Sequence, residues 1–218
     1  MELSAIGYRL SGTWVKVGAV VLGAVLVALA AQVSIPLPGT PVPMTLQPMA
    51  VLLVGGLLGA PLGALSMILY LAMGAAGLPV FTPTVPLLGL ARLFGPTGGY
   101  LLAYPVAAYV VGLVVDGRAL RGRARLPSAP LQGAPIAEPG PSARVSTNSV
   151  RWAPFALGVL AGLVLIHLGG LAQLAILTGN ISAAAQLGTW PFLLGDLLKV
   201  AILVPLLTTL TPTIRARL

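Results

Sequence analysis

The sequence predicts an all-α, polytopic membrane protein of six transmembrane helices with both termini in the cytoplasm, and three observations predict it. The first is composition. Of 218 residues, 57% are hydrophobic and 7% charged, with a mean hydropathy of +1.01, which leaves too little polar surface to cover a water-soluble core. The second is the length of the uncharged runs. No Asp, Glu, Lys or Arg occurs between Lys16 and Arg92, Arg92 and Asp116, Arg151 and Asp196, or Lys199 and Arg215, and a helix needs only about 20 apolar residues to cross a bilayer. The third is the placement of the basic residues, which flank the apolar runs. The net charge of +8 therefore speaks for membrane orientation and not for nucleic acid.

Helix 1 is expected over 17–33, after a polar lead carrying Arg9 and Lys16. The lead resembles a signal peptide, but uncharged, membrane-like sequence continues beyond it, which favours a retained helix. Ser34 to Met44 holds Pro36, Pro38, Pro41 and Pro43 with Gly39 and is read as an apolar loop. Helices 2 and 3 follow at 46–58 and 61–77, then a Gly/Pro-rich outer loop over 78–95 that contains Arg92. Helix 4 is expected over 96–116, with Pro96 suiting its first turn. Residues 117–151 carry six arginines and five prolines and read as a flexible basic linker in water. Helix 5 is expected over 152–177 and helix 6 over 190–210, joined by the polar stretch TGNISAAAQLG. The whole, 1–218, reads as one membrane domain. Short cytoplasmic segments carry an excess of Lys and Arg. Arg9 with Lys16, the linker, and Arg215 with Arg217 fall on one side only for an even helix count divided four plus two. The two Pro-rich loops then lie outside.

Asp196 and Lys199 share a face of helix 6 at i and i+3. Counted from Trp190, Asp196 lies roughly 9 Å into the helix at its rise of about 1.5 Å per residue, too deep for free solvation. Intramembrane charges line cavities and mark functional sites, at a cost of about 2.5–3.5 kcal/mol on insertion scales. The alternative is an ion pair that only holds helix 6 in register. Arg92, the one charge in the outer loops, is expected at the mouth of the same pocket as an anion-binding residue. His167 on helix 5 reads equally as a ligand contact or as an interhelical hydrogen-bond partner. With no cysteine and no second His or carboxylate at ligand spacing, no metal site or cofactor is expected, and no P-loop is present. Ala24 and Ala28 form a small-xxx-small pair, while Gly55, Gly56, Gly59 and Gly63 point to tight packing around the helix 2–3 turn.

PVPMTLQPMAVLL at 41–53, AAGLPVF at 75–81, LFGPTGGYL at 93–101 and LGDLLK at 194–199 together resemble the BioY family of biotin transporters. These are the substrate-binding S components of energy-coupling-factor transporters. The resemblance implies six helices and biotin bound from the outside, with Asp196 and Lys199 on its ureido head and Arg92 as a further polar partner. It extends the site to Gln47 and Tyr100 and to Thr82 and Thr84 of the FTPT stretch. It also implies a transmembrane coupling subunit, with Ala24 and Ala28 at that contact, two ATP-binding-cassette ATPases, and the plasma membrane of a prokaryote. A ureido ring offers two N–H donors and a carbonyl acceptor, so a carboxylate and an ammonium on one helical face complement it. Two rival readings remain at this level. One is an intramembrane lipid-modifying enzyme using His167, Asp196 and Lys199; the other is a purely structural membrane subunit.

Overall fold

The computed structural model describes residues 2–123 and 152–218, and side chains from residue 12 to 117 and from 152 onward. Most of the expected linker, 124–151, lies outside the described residues. The first helix, α1 (Glu2–Gln32), starts well before the expected boundary at 17. The lead contains no proline, and extending an existing helix is far easier than nucleating one. The helix stops ahead of Pro36, and the Gln32 amide donates to the Ala28 carbonyl of the last turn at 3.1 Å.

The Pro-rich loop that follows is framed by a short antiparallel pair, a departure from the purely α expectation. Strands β1 (Ser34–Ile35) and β2 (Met44–Thr45) pair Ser34 with Thr45 and Ile35 with Met44. The ladder ends there because the prolines between them have no N–H to donate.

Helices α2 (Gln47–Leu58) and α3 (Ala60–Ala75) match the expected second and third helices. At 12 and 16 residues they reach about 18 and 24 Å, short of the roughly 30 Å hydrocarbon core. Eight residues of α2 are buried, from Gln47 to Leu57, so this helix runs inside the bundle. Gly59 turns the chain between the two with φ +86, a conformation that disfavours any other residue. A Cβ on Gly55 would stand 2.4 Å from the Ala108 carbonyl oxygen, so only glycine lets the two backbones touch.

A single helical turn, α4 (Ala91–Phe94), interrupts the second loop. Pro96 sits in the turn after it, and α5 (Gly98–Arg123) begins two residues later than expected. The Gln173 amide, donating to the carbonyls of Leu93 at 3.0 Å and Gly95 at 2.7 Å, holds that turn out of the helix. At its other end α5 continues past Asp116 through Ala119, Leu120 and Arg121, all good helix formers. Helix α6 (Ala153–Thr178) follows expectation closely. The polar stretch after it holds a helix not foreseen, α7 (Ile181–Gly188), capped by Asn180 Oδ1, which accepts from the amides of Ser182 at 2.8 Å and Ala183 at 3.2 Å. A 3-10 turn, Trp190–Phe192, leads into α8 (Leu193–Arg215), which begins later and ends later than the expected 190–210.

The described residues are mostly helical, and among them four stretches are long and apolar enough to cross a membrane: Gly12–Gln32, Gly98–Gly117, Ala153–Thr178 and Ile181–Arg215. Their outward faces carry Leu22, Leu29, Val164, Ile176, Leu194 and Leu197, all exposed, as a lipid-facing surface requires. The core lies inside, around Val51, Leu52, Met67, Val111, Ile166, Leu203 and Leu207.

At one end of the bundle α2, α3, α5 and α8 meet in a polar clasp. Arg215 pairs with Asp116 and donates to the carbonyls of Gly56 at 2.7 Å and Leu57 at 3.2 Å. Asp116 in turn accepts from the Ala60 amide at 3.2 Å. A cation thus caps the C-terminus of α2 and an anion the N-terminus of α3, each favourable to the helix dipole. Arg215→Met should destabilise the protein by about 1–3 kcal/mol, the cost of stranding polar partners. Thermal unfolding in detergent checks this, and adding Asp116→Asn should cost less than the two single changes summed.

Candidate functional site

At the end of the bundle opposite the clasp, the first turns of α2, α5 and α8, the middle of α6 and both Pro-rich loops line a partly open cavity of about 50 Å³. That is below the roughly 300–1,000 Å³ of small-molecule sites, so a ligand of that size requires the walls to part. Its walls are largely apolar, with Leu101, Leu163, Ile166, Phe81 and Phe192. Into them project Gln47, Thr82, Arg92, Tyr100, Asp196 and Lys199, six of the seven ligand residues expected from the sequence. Thr84 is the exception. It lines a shallower cleft with Pro41, Pro43 and Pro86 between the two loops and reaches the site only through the Thr82 hydroxyl at 3.1 Å.

The i, i+3 spacing delivers its pair: Lys199 Nζ donates to Asp196 Oδ1 at 2.9 Å, and both residues are buried. The other carboxylate oxygen is taken by His167, whose Nε2 lies 2.6 Å from Oδ2. Of the two readings left open for His167, the interhelical hydrogen bond is present, tying α6 to α8, and the ring also lines the cavity. Its ring packs edge-on against Tyr100, with centroids 6.3 Å apart at 80°, and the Tyr100 hydroxyl donates to the Gly188 carbonyl at 2.5 Å. Gln47 Nε2 donates to the Tyr70 hydroxyl at 2.5 Å, and Tyr70 stands edge-on to Phe81 at 5.5 Å.

Arg92 is not at the mouth. It is 1% exposed and built into the wall, donating to the carbonyls of Thr82 at 2.8 Å, Val85 at 2.6 Å and Leu87 at 3.2 Å. Proline-rich backbone cannot satisfy its own carbonyls, and a planar fork with five donors can serve several at once. Burial pushes the guanidinium below its ordinary pKa, yet arginine stays charged at physiological pH. No carboxylate pairs with it among the described residues. The cavity wall therefore holds two basic side chains, Arg92 and Lys199, against one carboxylate, and that surplus suits an anionic ligand.

Residues not expected from the sequence also line the cavity, notably Thr97, Tyr104, Phe81 and Phe192. Thr97 lies within the GPTGGY motif, and the aromatics carry no signal beyond hydrophobicity. The small-residue pair on α1 faces inward: Ala24 is fully buried and Ala28 half-buried against the core. Beside them the Gly23 Cβ position would stand 2.6 Å from Ser66 Oγ on α3. In this conformation Ala24 serves the packing of α1 on the bundle and is closed to a partner chain.

Membrane-spanning helices around a largely apolar cavity with a few convergent polar groups are the arrangement of a membrane protein that binds a small molecule inside its bundle. The sequence model of the BioY family matches residues 9–216, and the chain belongs to that family. It is 34% identical over 186 residues to a probable biotin transporter BioY of Pyrococcus horikoshii, covering 85% of this chain and 90% of that one. It is 33% identical to the biotin transporter BioY of Thermotoga maritima, covering 81% and 84% respectively. Its fold superposes, with a TM-score of 0.69 over 89% of both chains at 23% identity, on a crystal structure described as the S-component for biotin from an ECF-type ABC transporter.

Arg92→Lys should loosen the second loop, because one ammonium cannot span three carbonyls. Limited proteolysis should cut within 78–95 faster than in the native protein, and stability should drop by about 1–3 kcal/mol. An unchanged cleavage rate would show that the three carbonyls are held by other means.

Proposed function

We propose that this protein captures biotin from the outer face of a prokaryotic plasma membrane and passes it inward as the S component of an energy-coupling-factor transporter. The carrying observation is the match to a relative named a probable biotin transporter over 85% of the chain, together with a cavity whose polar groups suit biotin. Asp196 and Lys199 complement the donors and acceptor of the ureido ring, the apolar walls match the thioether ring and aliphatic chain in character, and the basic surplus suits the carboxylate. The reading needs no cofactor. A lipid-modifying enzyme built on His167, Asp196 and Lys199 is not supported, since the relatives are named as transporters.

In this reading the chain forms one domain that crosses the membrane six times, α2 and α3 being the short second and third spans sheltered by their longer neighbours. Both termini and the basic segment 117–151 face the cytoplasm, as the Lys and Arg distribution favours. There a transmembrane coupling subunit and two ATP-binding-cassette ATPases supply the energy.

Asp196→Asn and Lys199→Met should each weaken biotin binding by roughly tenfold to a hundredfold, from about 1–3 kcal/mol per mispaired buried group at about 1.4 kcal/mol per decade. Calorimetric titration checks this, and dissociation constants unaltered in both variants would remove the pair from the site. For topology, cysteines at Pro38 and Ser182, both exposed, should react with an impermeant thiol reagent from outside. One at Gln132 should react only after the cytoplasmic face is opened.

A further inference from the structure

His167 is the only histidine of the chain and forms part of the partition between two spaces. On one side is the candidate ligand cavity, which His167 lines together with Asp196 and Lys199. On the other is an apolar groove between α6 and α8, walled by Leu160, Val164, Leu168, Leu193 and Leu197, with His167 and Asp196 again at its lining. Asp196 could turn its carboxylate toward either space. Lys199 restrains Oδ1 from the same helix at 2.9 Å, and His167 restrains Oδ2 from the neighbouring helix at 2.6 Å. Held at both oxygens, the carboxylate cannot rotate, and its remaining lone pairs stay available to the cavity. An ionised Asp196 accepts, so the hydrogen of that contact belongs to Nε2. Nδ1 is buried with no partner, and in the neutral Nε2–H tautomer it presents a lone pair there rather than a stranded donor.

We propose that His167 is a positioning residue of the ligand site, which in its Nε2–H tautomer fixes Asp196 toward the cavity from the side opposite Lys199. The inference rests on the reading that Asp196 accepts hydrogen bonds from biotin. Preorganising one acceptor removes ordering that the ligand would otherwise have to impose.

The test uses the full chain in detergent or nanodiscs. His167→Leu should weaken biotin binding by about tenfold or more, whereas His167→Gln, which places an amide N–H near the position of Nε2, should stay within about threefold of the native protein. In an Asp196→Asn background the Leu substitution should add little. Because the chain has one histidine, nitrogen NMR of histidine-labelled protein, without ligand and at alkaline pH, reports its tautomer directly, and Nε2–H is expected. Native affinity in folded His167→Leu, a Gln variant as weak as the Leu variant, or an Nδ1–H tautomer would each overturn the inference. Absence of biotin binding by the native protein would overturn the proposed function alone, because the tautomer measurement needs no ligand and still decides the link between His167 and Asp196.

Discussion

One carboxylate sets the terms for the upper half of this molecule. An ionised Asp196 within a membrane-spanning helix is tolerable only if cations and hydrogen-bond donors surround it. Lys199 comes with it on the same helix, but the second donor, His167, lies on α6. Satisfying Asp196 therefore fixes how α6 and α8 meet. The requirement propagates outward: the His167 ring packs on Tyr100 of α5, and Tyr100 is pinned to the end of α7 through the Gly188 carbonyl. Four helices are brought into register by groups that would be unfavourable in lipid singly.

The roof of the cavity meets a different difficulty. Two loops rich in proline have few amides with which to satisfy each other's carbonyls, so side chains supply the donors. Arg92 gathers three carbonyls of the second loop. Gln32, at the end of α1, reaches the carbonyls of Pro79 and Phe81 at 3.4 Å. Thr40 of the first loop donates to the Leu187 carbonyl at 2.5 Å. The opposite end uses the same logic on helix termini, with Arg215 and Asp116 serving the end-of-helix backbone groups of α2 and α3. Between the two polar ends the helices pack through small residues, as at Gly55 against Ala108, because lipid offers no hydrophobic drive for one helix to seek another.

The architecture suits a receptor that holds a solute and releases it unchanged. The charged groups of the cavity are mostly engaged with each other or with backbone, so they present oriented donors and acceptors rather than free reactive groups. The unmatched cation, Arg92, is locked into a wall and cannot swing out to meet solvent.

The sequence by itself determined the solvent of this protein, the approximate positions of its long helices, and the chemistry of its deepest pair. Lipid imposes a coarse rule on composition that any apolar run reveals, and an i, i+3 spacing on one helix is geometry that needs no neighbour. The family resemblance added Gln47, Tyr100 and Thr82, which the fold gathers around the same cavity. A local signal is also present at Asn180, a favoured N-cap residue ahead of an alanine-rich helix. Only the tertiary structure decided that His167 closes the carboxylate of Asp196, that Arg92 is a buried brace and not a gatepost, that Thr84 turns to a separate cleft and that Ala24 faces inward. Each of these depends on which side chains meet across different elements, as His167 and Asp196 do across 29 residues and Arg92 and Thr82 across 10. Those meetings are set by how helices and loops pack against one another, and neither composition nor local spacing encodes that where a reader of the chain can see it.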